Sequence, residues 1–189
     1  MKALLIVDLQ NDFMPQGALG VPKADELVPI INALIPTFSL VVSSQDWHPP
    51  HHMSFAASHQ GRRVGEVVEG QMLWPVHCVQ ETLGAQLVEG LDLAHIARCF
   101  YKGADPQIES YSAFFDTQHH STGLSEFLKE KGVTHLFLVG VATDYCVLYT
   151  ALDARREGLE VTVIAQGCRA IGDEAQTLSR LRSHGVHVC

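Results

Sequence analysis

Short apolar runs alternate along this chain with polar segments of helical period. Ala3–Asp8 (ALLIVD), Leu40–Ser44 (LVVSS), Ile96–Tyr101, His135–Val141 and Val161–Ala165 read as strands buried on both faces, with Val186–Val188 as a short last strand. The segments between them read as helices. Asp25 is placed to cap one through about Leu34, with Pro29 near its first turn. Thr122–Lys131 stops at Gly132, Asp144–Glu157 stops at Gly158, and Asp173–Ser183 follows the fifth strand. Trp47–Gln80 breaks the alternation. It is rich in Pro, Gly and His and lacks a period. Loops of that length in compact domains are commonly functional, and its apolar and aromatic content argues against disorder.

Strands that alternate with helices imply a parallel sheet covered on both faces. Right-handed crossovers place every strand's carboxyl end on one edge, where ligands of such sheets bind. Asp8, Asp46, Lys102 and the turn Ala142–Cys146 all fall on that edge. The expected fold is therefore α/β. No repeat, linker or low-complexity tract divides the chain, so one domain spanning residues 1–189 is expected.

Composition narrows the partners. With 13 Lys and Arg against 21 Asp and Glu, the net charge is −8. No basic run offers a nucleic-acid surface, and no apolar run approaches the ~18 residues of a membrane span. Five scattered cysteines without a CxxC pair fit reduced thiols in the cytoplasm. Met1–Leu9 lacks a cleavage signature and reads as a first strand. A dinucleotide fold is disfavoured, because Gly17-Ala18-Leu19-Gly20 lacks the GxGxxG spacing.

The candidate chemistry lies on the rim. Cys146 stands where a strand ends and a helix should begin, a position whose unpaired N–H groups favour thiolate. Asp8 could act as its base, and Lys102 could favour both the thiolate and an oxyanion. Cys168 also follows a strand and is a weaker rival nucleophile, whereas Cys78 and Cys99 read as packing residues. Asp46 and His48 are two residues apart and share a face on an extended segment. His77 could complete a carboxylate and two-imidazole metal set across the loop, with His51 and His52 near enough to join. Solvated loop histidines are the competing reading. Phe13, Trp74, Tyr111 and Phe114 could wall a flat apolar ligand, or could simply pack the loops.

These residues fall into blocks: Asp8-Leu9-Gln10-Asn11-Asp12-Phe13, Asp46-Trp47-His48-Pro49-Pro50, Ser54-Phe55-Ala56, Leu73-Trp74-Pro75-Val76-His77-Cys78-Val79-Gln80, Lys102-Gly103, Ser110-Tyr111-Ser112-Ala113-Phe114 and Gly140-Val141-Ala142-Thr143-Asp144-Tyr145-Cys146-Val147. In that order and from end to end, the chain resembles the nicotinamidases of the isochorismatase-like cysteine hydrolases. The first and last blocks are shared by the wider superfamily; the DWH and WPxHC blocks are the specific ones.

The resemblance implies a three-layer α-β-α fold around a doubly wound six-stranded parallel sheet. It implies a triad of Asp8, Lys102 and Cys146, an oxyanion hole at the N–H groups of Ala142 and Cys146, and a cis peptide at Val141–Ala142. Metal ligands map onto Asp46, His48 and His77, while His52 matches a position that ligates in some relatives only. The metal is one divalent ion, with zinc first and iron or manganese as alternatives. Phe13, Trp74 and Tyr111 are the substrate-binding candidates. The implied reaction is hydrolysis of nicotinamide, and of pyrazinamide, to the acid and ammonia through a thioester on Cys146, in NAD salvage. The partner is this small molecule, and homo-oligomer formation is left open. His51, Val76 and Tyr145 depart from or vary within the family pattern and bear on fine specificity. Two rivals remain. A related amidohydrolase of carbamoyl or ureido substrates would share the triad without needing the metal set. A non-catalytic metal- or thiol-sensing module would show no turnover.

Overall fold

A computed structural model describes residues 1–189. The main sheet is built from β1 (Lys2–Val7), β2 (Val41–Asp46), β5 (Arg98–Lys102), β6 (His135–Val141), β7 (Glu160–Arg169) and β8 (His187–Val188), and a small hairpin of β3 (Val67–Val68) and β4 (Gln71–Met72) lies in the long loop. The helices are α1 (Leu27–Leu34), α2 (Leu124–Glu130), α3 (Leu148–Arg156) and α4 (Glu174–Ser183). The sheet runs β5-β2-β1-β6-β7-β8, and every pairing in it is parallel. The order reverses between β1 and β6, which puts the crevice of a doubly wound sheet at the ends of these two strands.

Alternation along the strands explains why they read as apolar throughout. On β1, Ala3, Leu5 and Val7 join one core, with Leu128, Leu148 and Leu181 from α2, α3 and α4. Leu4 and Ile6 face the other core, with Leu27 and Ile31 from α1. Both faces are dry, so no polar position interrupts the run. Gly140 has φ 116° where β6 crosses β1, and a side chain there would collide with the Val7 backbone.

Several local expectations change. The α1 region starts as a 3₁₀ turn at Ala24–Glu26, and the Asp25 side chain caps nothing. The expected helix Asp144–Glu157 is split into a π-helical turn, Thr143–Val147, followed by α3. β7 runs well past Ala165 to Arg169, with a bulge against β6 between Leu138 and Gly140. Asp173 does cap α4, accepting a hydrogen bond from the Gln176 N–H at 2.9 Å. No helix is long and apolar enough to cross a membrane.

Candidate active site

Four neighbouring strands end in the four expected groups: Lys102 on β5, Asp46 on β2, Asp8 after β1, and Cys146 in the turn after β6. Asp8 sits at φ 48°, a left-handed conformation uncommon for a residue other than glycine. Lys102 is wholly buried at the centre. Its Nζ lies 2.9 Å from Asp8 Oδ2 and 3.4 Å from Cys146 Sγ, bonds to Asp46 Oδ1, and donates to the Ser110 carbonyl at 3.2 Å. Acid, cation and thiol are therefore brought together as the strand order implied.

Burial sets the protonation of this cluster. It pushes the Cys146 thiol well above its ordinary range, and Lys102 only partly opposes the shift. Burial therefore opposes the thiolate that the turn's dipole and the lysine favour, as a mechanism in which Asp8 takes the thiol proton requires. Burial also raises Asp8, against Lys102 and assisted by Asp46. A carboxyl raised in this way is a stronger base. Asp8 Oδ1 accepts from the Ser44 hydroxyl at 2.7 Å, and Oδ2 accepts no aligned hydrogen bond. Asp8, Asp46 and Cys146 hold ligand atoms within 4.8 Å of one another, so Sγ is within reach of the acid. That trio already encloses the Lys102 ammonium, which excludes a metal there on charge.

The set Asp46, His48 and His77 is different. Its three ligand atoms also lie within 4.8 Å of one another, with no cation among them. His48 Nδ1 donates to the Gly103 carbonyl at 2.9 Å and His77 Nδ1 to the Pro75 carbonyl at 2.8 Å. A carbonyl can only accept, so each Nδ1 carries the proton and each Nε2 is free to ligate. The two Nε2 atoms stand 3.5 and 3.7 Å from Asp46 Oδ2. Those separations are long for hydrogen bonds, and suit ligands sharing an ion at about 2.0–2.2 Å each. The Lys102 ammonium, above all, holds the Asp46 carboxyl well below its ordinary range despite burial, so it is ionised. The residues fit a divalent cation. Gly103 has φ 64°, and a side chain there would strike the His48 ring.

His52 is close by but committed elsewhere. Its Nε2 donates to the Ile108 carbonyl at 3.1 Å, and its Nδ1 accepts from the Ser54 backbone N–H at 3.3 Å. Burial pulls its pKa down to about 4. It supports the His48 ring at 4.2 Å and has no nitrogen left to ligate. His51 is exposed.

Cys146 and the metal set Asp46, His48 and His77 line one small cavity, together with Phe13, Trp74, Tyr111, Tyr145 and Ala142. Trp74 Nε1–H donates to the Tyr111 hydroxyl at 3.1 Å, which fixes both rings. The Ala142 N–H has no acceptor within the protein, and the Val141–Ala142 peptide is cis. Phe114 belongs instead to the hydrophobic core, as does Cys168. Neither lines the cavity.

Two contributors had no signal of their own. Gln10 is fully buried and clamps Asp46: its Oε1 accepts from the Asp46 N–H, and its Nε2 donates to the Asp46 and Ala85 carbonyls, each at 2.8 Å. Glu109 lines the cavity, accepting from Gln71 Nε2 at 2.7 Å and from the Ser110 N–H at 2.8 Å, and burial raises its pKa. Gln10 lay within a quoted block without a role, and Glu109 lay in an unpatterned stretch.

The isochorismatase domain model matches residues 2–189. The chain is 45% identical over 174 residues to a nicotinamidase of Acinetobacter baylyi, covering 89% of this chain and 81% of that protein. A structure from L. infantum in complex with nicotinate superposes with a TM-score of 0.90 at 37% identity, over 100% of this chain and 92% of that one. A pyrazinamidase from Pyrococcus horikoshii in complex with zinc superposes at 0.86 with 38% identity, covering 100% and 98% of the two chains. With its six-stranded parallel sheet, its rim of acid, lysine and thiol, and these matches, the chain belongs to the isochorismatase domain family.

Proposed function

We propose that this protein hydrolyses nicotinamide to nicotinate and ammonia, through a thioester on Cys146. The observation that carries this reading is that the nucleophile Cys146 and the metal set line one small aromatic cavity, with Lys102 and Asp8 packed behind the thiol. Relatives named as nicotinamidases or holding nicotinate support the substrate. A pyridine carboxamide offers a flat ring for Phe13 and Trp74, and a carboxamide that can lie beside Cys146.

Asp8 takes the thiol proton as Sγ attacks the amide carbon. Because the thiol rests protonated, removal of the proton and attack belong to one step. Lys102 offsets one of the two carboxylate charges of the buried cluster and stabilises the negative charge as it passes from Asp8 to sulfur and oxygen. The oxyanion meets the N–H groups of Ala142 and Cys146; one such donor is worth about 10²–10³ in rate. Asp8 then protonates the departing ammonia, and water cleaves the thioester to nicotinate, restoring the thiol.

A divalent ion held by Asp46, His48 and His77 would supply a Lewis-acidic partner that orients the ring nitrogen. Zinc is the ion named for the Pyrococcus horikoshii relative, and the ligand chemistry also suits iron and manganese. Pyrazinamide carries a nitrogen at the same ring position and should be hydrolysed too. The test is ammonia release from nicotinamide and from a ureido amide, by metal-loaded and chelated protein. Turnover of nicotinamide that is lost on chelation and restored by a divalent ion supports the reading. Turnover of the ureido substrate alone, or indifference to chelation, rejects it.

A further inference from the structure

Beside the cavity runs the segment that joins β7 to α4, residues 170–173. Both of its ends are anchored. Arg169 forms an ion pair with Glu26 at 3.0 Å and donates to the Cys168 carbonyl at 2.8 Å, and Asp173 caps α4. The middle is held by one side chain. Asp144 Oδ1 accepts from the Ile171 N–H at 3.0 Å, and Oδ2 accepts from the Gly172 N–H at 2.7 Å. Asp144 is part of the π-helical turn that carries Cys146, so the segment is fastened directly to the nucleophile's own turn. Thr143 adds a second fastening, its hydroxyl donating to Glu174 at 3.1 Å. Glycine at 172 permits the close approach: a Cβ there would lie 3.1 Å from Asp144 Oδ2.

What this holds in place is Ile171. Its side chain lines the cavity with Leu19, Tyr145 and Trp74, yet the residue is 36% exposed, so it stands at the boundary between cavity and solvent. Trp74 and Tyr145 meet edge to face at 4.9 Å on the same rim. An apolar residue held over a nucleophile by a two-point charged latch limits the size of what reaches it.

We propose that Ile171 is the specificity-determining roof of the cavity and that Asp144 is the positioning residue that holds it closed over Cys146. This rests on the cavity being the reactive site, but its test does not depend on nicotinamide being the substrate. The roof predicts which reagents reach the thiol. Cys146 alkylation by iodoacetamide is compared with alkylation by a fluorescein-bearing iodoacetamide. The electrophile is the same, so the change in the ratio of rates between variants reports access to the thiol. Peptide mapping reads Cys146, with Cys78, buried and outside the cavity lining, as internal control.

Ile171→Ala should raise the bulky-to-small ratio at Cys146 by about tenfold, with Cys78 unreactive. Asp144→Ala should do the same, because losing a charge-assisted latch is worth at least that factor. Asp144→Asn keeps one acceptor and should lie between Asp144→Ala and the parent protein. An unchanged ratio in Ile171→Ala overturns the roof. A parallel rise at Cys78 in Asp144→Ala, with no rise in Ile171→Ala, assigns Asp144 to the fold and overturns the latch. Ammonia release from nicotinamide by the parent protein is measured alongside. Its absence would reject the substrate, while the alkylation ratios still decide the roof.

Discussion

The two halves of the site are built in different ways. On the strand rim, Asp8, Asp46, Lys102 and Cys146 owe their places to sheet register, four adjacent strands ending side by side. In the Trp47–Gln80 segment there is little regular structure, and position comes from individual polar contacts. His77 is aimed by the Pro75 carbonyl, and the turn at Cys78 is tied by its N–H to Asp12 at 2.7 Å. A sheet edge resists the loss of one contact; a loop held by single bonds does not. Rim substitutions should therefore remove chemistry and leave the fold, whereas loop and tether substitutions should weaken ligand binding in proportion to the bond removed.

The largest effect is expected at the nucleophile. Cys146→Ala should lower turnover by on the order of 10⁴-fold or more with nicotinamide binding still measurable by calorimetry. Asp8→Asn should cost about 10²–10⁴ in kcat, the usual range for a general base, with an unchanged circular dichroism spectrum. Gln10→Ala tests the join between the two halves. It strips the clamp from Asp46 and should weaken metal binding about 10–100-fold, measured by competition with a chelator, while thermal stability falls by about 1–3 kcal/mol. Tyr111→Phe removes the acceptor of Trp74 Nε1–H. It should raise KM a few-fold and leave kcat nearly unchanged, since a neutral hydrogen bond is worth about 0.5–1.5 kcal/mol.

The pH response sharpens the same contrast. Burial raises the Cys146 thiol, so its alkylation by iodoacetamide should climb with pH without reaching a plateau below pH 9. A plateau near neutrality would mean a resting thiolate and would remove the need for Asp8 as base. Asp46 behaves oppositely. Its carboxyl is held low, so the stability it contributes is present above the unfolded value of about 3.9 and is lost only as the pH falls through the lower folded value.

The strand rim was legible in the sequence because strands dry on both faces read as continuous apolar runs, and parallel connection puts their ends together. His135–Val141 matches its expected span. Asp46, His48 and His77 were candidates by residue type and spacing, alongside His51 and His52, and the family resemblance singled out the three that the structure brings together. What could not be read depends on three-dimensional environment. The π-helical turn at Cys146 has no pattern distinct from the helix it precedes. Burial opposes the thiolate that the turn favours, and sequence carries no measure of dehydration for a single thiol. Both nitrogens of His52 are spent on Ser54 and Ile108, which spacing cannot reveal. Gln10, Glu109 and the Asp144 latch act on partners distant along the chain.

The covalent step is the centre of the account, and trapping it is the most direct test. Metal-loaded protein is quenched with acid during turnover of nicotinamide, and the Cys146 peptide is mapped by mass spectrometry. The account predicts a nicotinoyl adduct on Cys146 in the parent protein, and neither adduct nor ammonia release in Cys146→Ala. Undiminished ammonia release by Cys146→Ala, or an adduct on a different cysteine, would contradict it.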